Sequence, residues 1–260
     1  MKKFELTSEF ITNISGTKLF RIKALVEFGN IKAGELGGYI EKEENLDQDG
    51  DAWVYGNAKV YGNAKVYGDA KVCGDAKVHG NAEVCGDAWV CGNAKVYGDA
   101  EVYGDAKVHG NAEVCGDAEV CGDAKVHGNA EVCGDAWVCG NAKVYGDAKV
   151  YGDAKVHGNA EVCGDAEVYG DAWVYGDAWV YGDAKVCGDA DYAYAHGFGS
   201  EYRTTTFFRL RNGDVGVRCG CFYGTLQEFR DKVRATHKET KKAKEYLMLA
   251  DLMELRFLKE

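Results

Sequence analysis

A six-residue unit, Gly-(Asp/Asn)-Ala-X-Val-X, runs without insertion from Gly50 to Cys187, and this tract divides into 23 units. Such regular repetition is typical of repeat architectures and not of ordinary globular domains. Within each unit Ala and Val are two residues apart, so in a strand they point to one face and the two X residues to the other. The repeat therefore predicts a solenoid with Ala and Val inside and the X residues in solvent.

The Gly-(Asp/Asn) pair suits a tight corner, because these residues adopt positive φ with the least strain. Each unit is then one short strand and one corner, and three units close a triangular coil. Coils stacked about 4.8 Å apart would form a prism roughly 37 Å long. Burying one Val contributes about 1.5 to 2 kcal/mol, whereas ordering each residue's backbone costs about 1 to 2 kcal/mol. Stability must come from stacking, so both ends need caps.

The order Val-X-Gly-(Asp/Asn)-Ala-X resembles the hexapeptide signature of left-handed parallel β-helix proteins. The flanks GELGGYIEKEENL and FFRLRNGDVGVRCGCFYGTLQEF resemble those of phage and prophage β-solenoid proteins akin to the YdcK-like solenoids. The resemblance implies a mainly β fold, a left-handed hexapeptide-repeat solenoid of about eight triangular coils. It implies an origin more than an activity, because this signature specifies fold far better than function.

The flanking segments predict the two caps. Residues 1–49 are strand-like up to about Glu27, and Leu36, Ile40 and Leu46 then fit an irregular first coil, so we expect an N-terminal β cap. Residues 50–187 form the β-helix. Residues 188–260 form a C-terminal α+β module of a hairpin and two helices.

The C-terminal module has clear local signals. Strands over Thr204–Leu210 and Val215–Cys221 would turn at Asn212-Gly213, a strong hairpin signal. Thr225 and Glu228 have the spacing of a capping box, which predicts a helix from about Leu226.

A second helix is predicted from about Thr240. Its apolar residues recur at spacings of three and four, and Leu249, Leu252 and Leu255 widen that surface. The expected docking or oligomerisation positions are Tyr246, Ala250, Met253 and Phe257. The stripe either packs on the hairpin alone or also forms a homo-oligomer through the C-terminal module; the sequence leaves both open.

Charge and cysteine content constrain partners and compartment. The repeat alone accounts for the net charge of −11, and an acidic body disfavours nucleic acid and favours a protein partner. The sequence lacks a signal-peptide pattern and any apolar run long enough to span a membrane, which indicates the cytoplasm of a bacterial host. In that reducing compartment we expect free thiols, although Cys115 with Cys133 and Cys121 with Cys139 are neighbours able to cross-link on oxidation.

Catalytic and metal sites are not expected. Acyltransferases with this repeat resemble one another in a catalytic His near a subunit boundary and in loops that break the coil, and this tract contains no inserted loop. One outward column contains Cys73, Cys91, His109 and His127 on successive rungs, spread over roughly 14 Å. That spread is too wide for one tetrahedral zinc ion. No cofactor is predicted.

Aromatic residues are the strongest candidates for recognition. Trp53, Lys71, Trp89 and Lys107 would stack in one exposed column through cation–π contacts. Near the end of the repeat a cluster predicts a binding surface, or else the seat of the C-terminal hairpin: Tyr169, Trp173, Tyr175, Trp179 and Tyr181.

Together these features favour a non-enzymatic, phage-type scaffold that presents a rigid acidic, aromatic-bearing surface to a protein partner. By the resemblance, that partner would be a host protein and the role interference with host defence. The alternative is a hexapeptide-repeat acyltransferase whose active site forms between subunits.

Overall fold

The computed structural model describes residues 2–198 and 203–257. It confirms a parallel β-solenoid in which every coil has 18 residues: Trp53 pairs with Lys71, and Lys59 with Lys77, each with its neighbour one coil further along the chain. The coils stack with three faces, as the hexad pattern predicted. We call these face I, face II and face III in the order in which the repeat enters them from Trp53 onward.

Each face is one sheet. Face I has eight strands: β4 Trp53–Val54, β7 Lys71–Val72, β10 Trp89–Val90, β13 Lys107–Val108, β16 Lys125–Val126, β19 Lys143–Gly146, β22 Glu161–Gly164 and β25 Trp179–Tyr181. Face II has eleven: β1 Phe4–Thr12, β2 Lys18–Ala24, β3 Leu36–Ile40, β5 Lys59–Val60, β8 Lys77–Val78, β11 Lys95–Val96, β14 Glu113–Val114, β17 Glu131–Val132, β20 Lys149–Val150, β23 Glu167–Val168 and β26 Lys185–Val186. Face III has seven: β6 Lys65–Val66, β9 Glu83–Val84, β12 Glu101–Val102, β15 Glu119–Val120, β18 Trp137–Val138, β21 Lys155–Val156 and β24 Trp173–Val174.

The interior consists of the two small apolar positions of each hexad. Every repeat Ala and Val from Ala52 to Val186 is fully buried. The corner glycines have φ between 58° and 80°, a region that L side chains rarely adopt. At Gly98 an added Cβ would also lie 2.9 Å from the backbone nitrogen of Gly116 on the next coil. Glycine is therefore required at the corners for both backbone conformation and close coil stacking.

The N-terminal cap closes the first coil as predicted. Strands β1, β2 and β3 are antiparallel, and β3 joins the solenoid in parallel, with Ile40 opposite Val60. Lys3 is almost completely buried, and its Nζ donates to three backbone carbonyls, including that of Ala52 at 3.1 Å. Asn45 donates to the carbonyls of Gly62 and Ala64 in the same manner. These side chains satisfy backbone groups that an open solenoid end would leave unpaired.

The prediction for Trp53 is wrong. Its side chain is fully buried, with its ring 6.3 Å from that of Phe4 and 5.3 Å from that of Phe28. The cap folds over the first coil of face I at this point, so the outward position of the hexad faces the cap and not solvent. One coil further, Lys71 and Lys107 do lie over the Trp89 ring, at 4.9 and 5.7 Å.

The C-terminal module is a four-stranded antiparallel sheet, larger than the predicted hairpin. Its strands are β27 Tyr192–Phe198, β28 Arg203–Arg209, β29 Val215–Cys219 and β30 Phe222–Thr225. The turn between β28 and β29 contains Gly213, as predicted, with φ of 90°. The second predicted strand ends at Cys219, so Cys221 lies in a turn outside it.

Two helices complete the module. Helix α1 spans Leu226–His237, and its capping box is confirmed: the Glu228 amide donates to the Thr225 hydroxyl, and the Thr225 amide donates to the Glu228 carboxylate. Helix α2 spans Lys241–Phe257. Buried Arg230 of α1 forms ion pairs with two acidic residues of α2, Asp251 and Glu254, at 2.8 and 2.7 Å.

Candidate partner-binding surface

The predicted aromatic cluster is divided among the three faces of the last coil. Tyr169 follows β23 on face II, Trp173 and Tyr175 lie on face III, and Trp179 and Tyr181 belong to β25 on face I. Adjacent hexads occupy different sides of the prism, so five aromatic residues that are close in sequence do not form one surface.

The face I pair seats the C-terminal module. The Arg218 guanidinium of β29 lies 4.7 Å from the Trp179 ring and 5.4 Å from the Tyr181 ring. The Tyr181 ring also meets the Tyr223 ring edge-on at 4.9 Å. The Trp179 amide donates to the Thr206 hydroxyl at 3.0 Å. These contacts fit the seating interpretation of the sequence for this part of the cluster.

Tyr169 contacts neighbouring residues of the solenoid. Its ring stacks on Tyr151 at 5.1 Å, and Lys185 Nζ lies 5.6 Å from it.

The face III pair remains open to solvent. Trp173 and Tyr175 are 45% and 41% exposed. Lys155 Nζ lies 4.9 Å from the Trp173 ring, and the Tyr175 ring meets Tyr192 and Tyr194 of β27 edge-on. This pair is the part of the cluster with area left for a partner.

The four predicted positions of the second helix lie in the core of the C-terminal module. Tyr246, Ala250, Met253 and Phe257 are at most 7% exposed and pack with residues of the sheet and α1. They therefore act in docking the helix within the chain.

The outer face of α2 carries a separate apolar stripe. Met248, Leu252 and Leu255 are 71%, 55% and 68% exposed, at spacings of four and three residues. Sequence reasoning had placed Leu252 and Leu255 in a widened apolar surface but had missed Met248. Its spacing of four from Leu252 was the available signal.

The two predicted sets meet at a cleft of 410 Å³ between the last coil and α2, which we call the junction cleft. Tyr175, Tyr192 and Tyr194 line one side, and Leu252 and Met253 line the other. Burial raises the pKa of Tyr192, whose hydroxyl oxygen accepts a hydrogen bond from the Tyr175 amide at 3.3 Å. Tyr192 is therefore a neutral hydrogen-bonding group at neutral pH.

Arg256 fixes the position of α2 beside the cleft. Its Nη2 donates to the backbone carbonyl of Asp189 at 3.0 Å. The Asp189 carboxylate in turn accepts from the amide of Trp173 at 3.0 Å, which caps the open end of face III. The exposed α2 stripe, the cleft and the open aromatic pair thus lie on one fixed framework.

The structure contains disulfides where the sequence analysis predicted free thiols. Disulfides join Cys73 with Cys91, Cys115 with Cys133, and Cys121 with Cys139. Equivalent positions on adjacent coils lie 4.6 Å apart between Cα atoms, which is within the range that a disulfide spans. In-register stacking therefore brings these cysteines together without any backbone movement.

The outward column that includes His109 and His127 forms a stack of aromatic rings. His109 and His127 have ring centroids 4.9 Å apart, and Tyr145 continues the stack at 5.0 Å. Burial, and secondly the charges of neighbouring lysines, lowers the pKa of His109; burial and the neighbouring His109 lower that of His127. Within residues 2–198 and 203–257, no three His, Cys, Asp or Glu side chains group closely enough to hold a metal ion.

In the part of the chain that the structure describes, neither helix has both the length and the apolar character to cross a membrane.

No protein-family model matches the chain, and no curated protein matches it in sequence. Among solved structures it is similar to a UDP-N-acetylglucosamine acyltransferase from Campylobacter jejuni. The identity is 13% over 84% of this chain and 82% of that chain, with a TM-score of 0.42. We take no functional argument from a likeness of this degree.

Proposed function

We propose that this chain is a non-catalytic scaffold that binds a protein partner at the junction cleft and the exposed stripe of α2. The observation that carries the proposal is that exposed apolar side chains from both parts of the chain meet at the cleft: Leu252 of the α2 stripe and Tyr175 of the open aromatic pair both line it. Clusters of exposed apolar and aromatic side chains around a fixed concavity are typical of interaction sites.

The solenoid supplies rigidity for this role. Its Ala and Val core is fully buried, and its coils are hydrogen-bonded in register along three faces, which leaves little freedom between coils. A partner at the junction cleft would therefore be held at a fixed orientation to the long acidic repeat. Preorganisation of this kind lowers the entropy that association costs.

The identity of the partner rests on the sequence resemblance. Following the likeness to phage solenoids, we propose a host protein as partner, interference with host defence as the role, and the bacterial cytoplasm as the location. Homo-oligomerisation through the same C-terminal module is the competing use of this surface. The net charge of −11 disfavours nucleic acid as the ligand.

The test is affinity capture from host lysate with matched variants. Leu252→Asp places a charge in the middle of the stripe, whereas Ile14→Asp makes the same kind of change at a fully exposed residue of the N-terminal hairpin. We expect one stoichiometric protein with the parent chain and with Ile14→Asp, and loss of that protein with Leu252→Asp. The interaction should then be reproduced with the purified partner, and circular dichroism should show that both variants are folded.

Two outcomes would overturn the proposal. Equal capture by both variants would exclude the stripe as the binding surface. Saturable binding of an acyl-carrier thioester that requires a His of this chain would favour the acyltransferase alternative. Light scattering of the purified protein distinguishes homo-oligomerisation, because loss of a larger species in Leu252→Asp alone would identify a second copy as the occupant.

A further inference from the structure

Three glutamates lie on successive rungs of face III. Glu83 pairs in register with Glu101, Glu101 with Glu119, and Glu119 with Trp137 on the next coil. Like charges directly opposite on neighbouring strands destabilise a sheet. We call these four residues the glutamate ladder; it ends in a tryptophan that is 40% exposed.

Face I has a row of positive charges in place of the negative ones. Trp89 pairs in register with Lys107, Lys107 with Lys125, and Lys125 with Lys143. We call these four residues the lysine ladder. It also ends in an exposed tryptophan, here 44% exposed, but the tryptophan stands at the opposite end relative to the chain direction.

The outer members of both ladders have partners within the chain. Glu83 accepts from Tyr67 and pairs with Lys65 at 3.5 Å, and Glu119 accepts from Tyr103. On face I, Lys143 pairs with Glu161 at 2.7 Å, and the ammonium of Lys107 lies 5.7 Å from the Trp89 ring.

The central residues of the two ladders, Glu101 and Lys125, are exposed. Within the described ranges they make neither an ion pair nor a side-chain hydrogen bond. Face II also has like charges on neighbouring coils, but where Lys and Glu meet there they pair directly, as Lys149 does with Glu131 at 3.2 Å.

The two ladders are complementary in sign, spacing and order. Both have one residue per coil, so their repeat along the solenoid is the same, about 4.8 Å. If two copies lie antiparallel, with face III of one against face I of the other, Glu101 falls opposite Lys125 and the outer Glu and Lys positions also match. The same register brings Trp137 of one copy onto Trp89 of the other.

We propose that this chain associates side by side with a second copy through this ladder-to-ladder contact. The two tryptophans supply an aromatic contact at one end of the paired ladders, and the unpaired central charges of Glu101 and Lys125 favour this register. The two surfaces differ, so each bound copy still has one ladder free. Such a heterologous contact does not close at two copies and continues with concentration.

This inference is independent of the proposed partner site, because both ladders lie on the central coils and the junction cleft lies at the C-terminal end. The test uses full-length variants in sedimentation velocity over a range of concentrations. Lys125→Glu and Glu101→Lys each place like charges at the centre of the contact. Lys77→Glu is the matched control, since it makes the same change in charge on face II.

We expect concentration-dependent association for the parent chain and for Lys77→Glu. Association should weaken about tenfold or more in Lys125→Glu and in Glu101→Lys. An equimolar mixture of these two variants should recover it, because every contact between unlike copies again joins opposite charges. The double variant should recover association for the same reason.

Three results would overturn the proposal: a monomer at every concentration, equal weakening by Lys77→Glu, or failure of the mixture to recover association. Loss of association in Leu252→Asp together with its retention in Lys125→Glu would assign self-association to the C-terminal module and reject the ladders. Position 101 accepts lysine without damage to the repeat pattern, since the nearly identical tract 122–169 has Lys149 at the equivalent position.

Discussion

The Cα atoms of Cys121 and Cys139 lie 4.6 Å apart on adjacent coils of face III, and their side chains form a disulfide that closes an 18-residue loop. Cys73 with Cys91 and Cys115 with Cys133 close loops of the same length. A cross-link of this loop length stabilises a fold by about 3 kcal/mol, mainly by restricting the unfolded chain. The central coils are therefore stapled at three places.

We expect a reducing agent to lower the thermal unfolding midpoint of the parent chain. The paired change Cys121→Ser with Cys139→Ser should lower the midpoint under oxidising conditions and leave a smaller response to reduction. Circular dichroism melting with and without dithiothreitol measures both effects, and thiol counting under denaturing conditions confirms the redox state. A midpoint that does not respond to reduction of a fully oxidised sample would contradict the stapling.

The sequence predicts which cysteines are neighbours but not whether they form disulfides. The repeat fixed the 18-residue coil, so the cysteine neighbours Cys115 with Cys133 and Cys121 with Cys139 were predictable in position. Whether neighbouring thiols bond depends on the direction of the side chains and on redox conditions, neither of which follows from spacing. The inference from a reducing cytosol therefore gave free thiols where the structure has disulfides.

The burial of Trp53 also could not be predicted from the repeat. The hexad pattern assigns it the same environment as Trp89, because both stand at the first X position on face I. The difference comes from the cap, whose long-range packing of Phe4 and Phe28 has no periodicity to predict it. The strand β27 was missed for a similar reason, since its sequence, YAYAHGF, alternates only in part and pairs with β28 through tertiary structure.

Replacement of the buried tryptophan should be costly. We expect Trp53→Ala to lower the free energy of unfolding by about 3 to 5 kcal/mol, through loss of apolar contacts and the cavity left behind. Trp137→Ala, at a 40% exposed position, should change it by about 1 kcal/mol or less. Urea denaturation followed by circular dichroism compares the two. Similar losses in both variants would show that the cap does not depend on Trp53.

The candidate site was predictable in part. The sequence identified Tyr175 and the apolar periodicity of α2, and the structure brings both to the junction cleft. It did not predict that the aromatic cluster divides among three faces, although the coil length implied it. Consecutive hexads turn by one side of the prism, so nearness in sequence is not nearness on the surface.

Stability should fall as the pH drops below neutrality. Burial lowers the pKa of His109 and of His127 from the ordinary value of 6.5, so in this range the unfolded chain binds more protons than the folded chain. The contribution of these residues is therefore fully present above pH 6.5 and is lost as the pH falls toward the lowered folded values. We expect a lower urea midpoint at pH 5.5 than at pH 7.5, and a smaller difference in the variant His109→Gln with His127→Gln. An unchanged pH difference in that variant would assign the effect to other groups.

Arg218 should hold the C-terminal sheet on the last coil. Its guanidinium contacts the rings of both Trp179 and Tyr181, and cation–π contacts shielded from water contribute about 1 to 2 kcal/mol. We expect Arg218→Ala to speed amide hydrogen exchange in β28 and β29, while the exchange of β10 and β13 in the middle of face I stays unchanged. Arg234→Ala is the control, because it removes only an exposed ion pair with Asp231 on α1 and should alter stability by about 0.5 kcal/mol or less. Equal exchange in the two variants would show that the sheet is held by the remaining contacts of Tyr223 and Thr206 without Arg218.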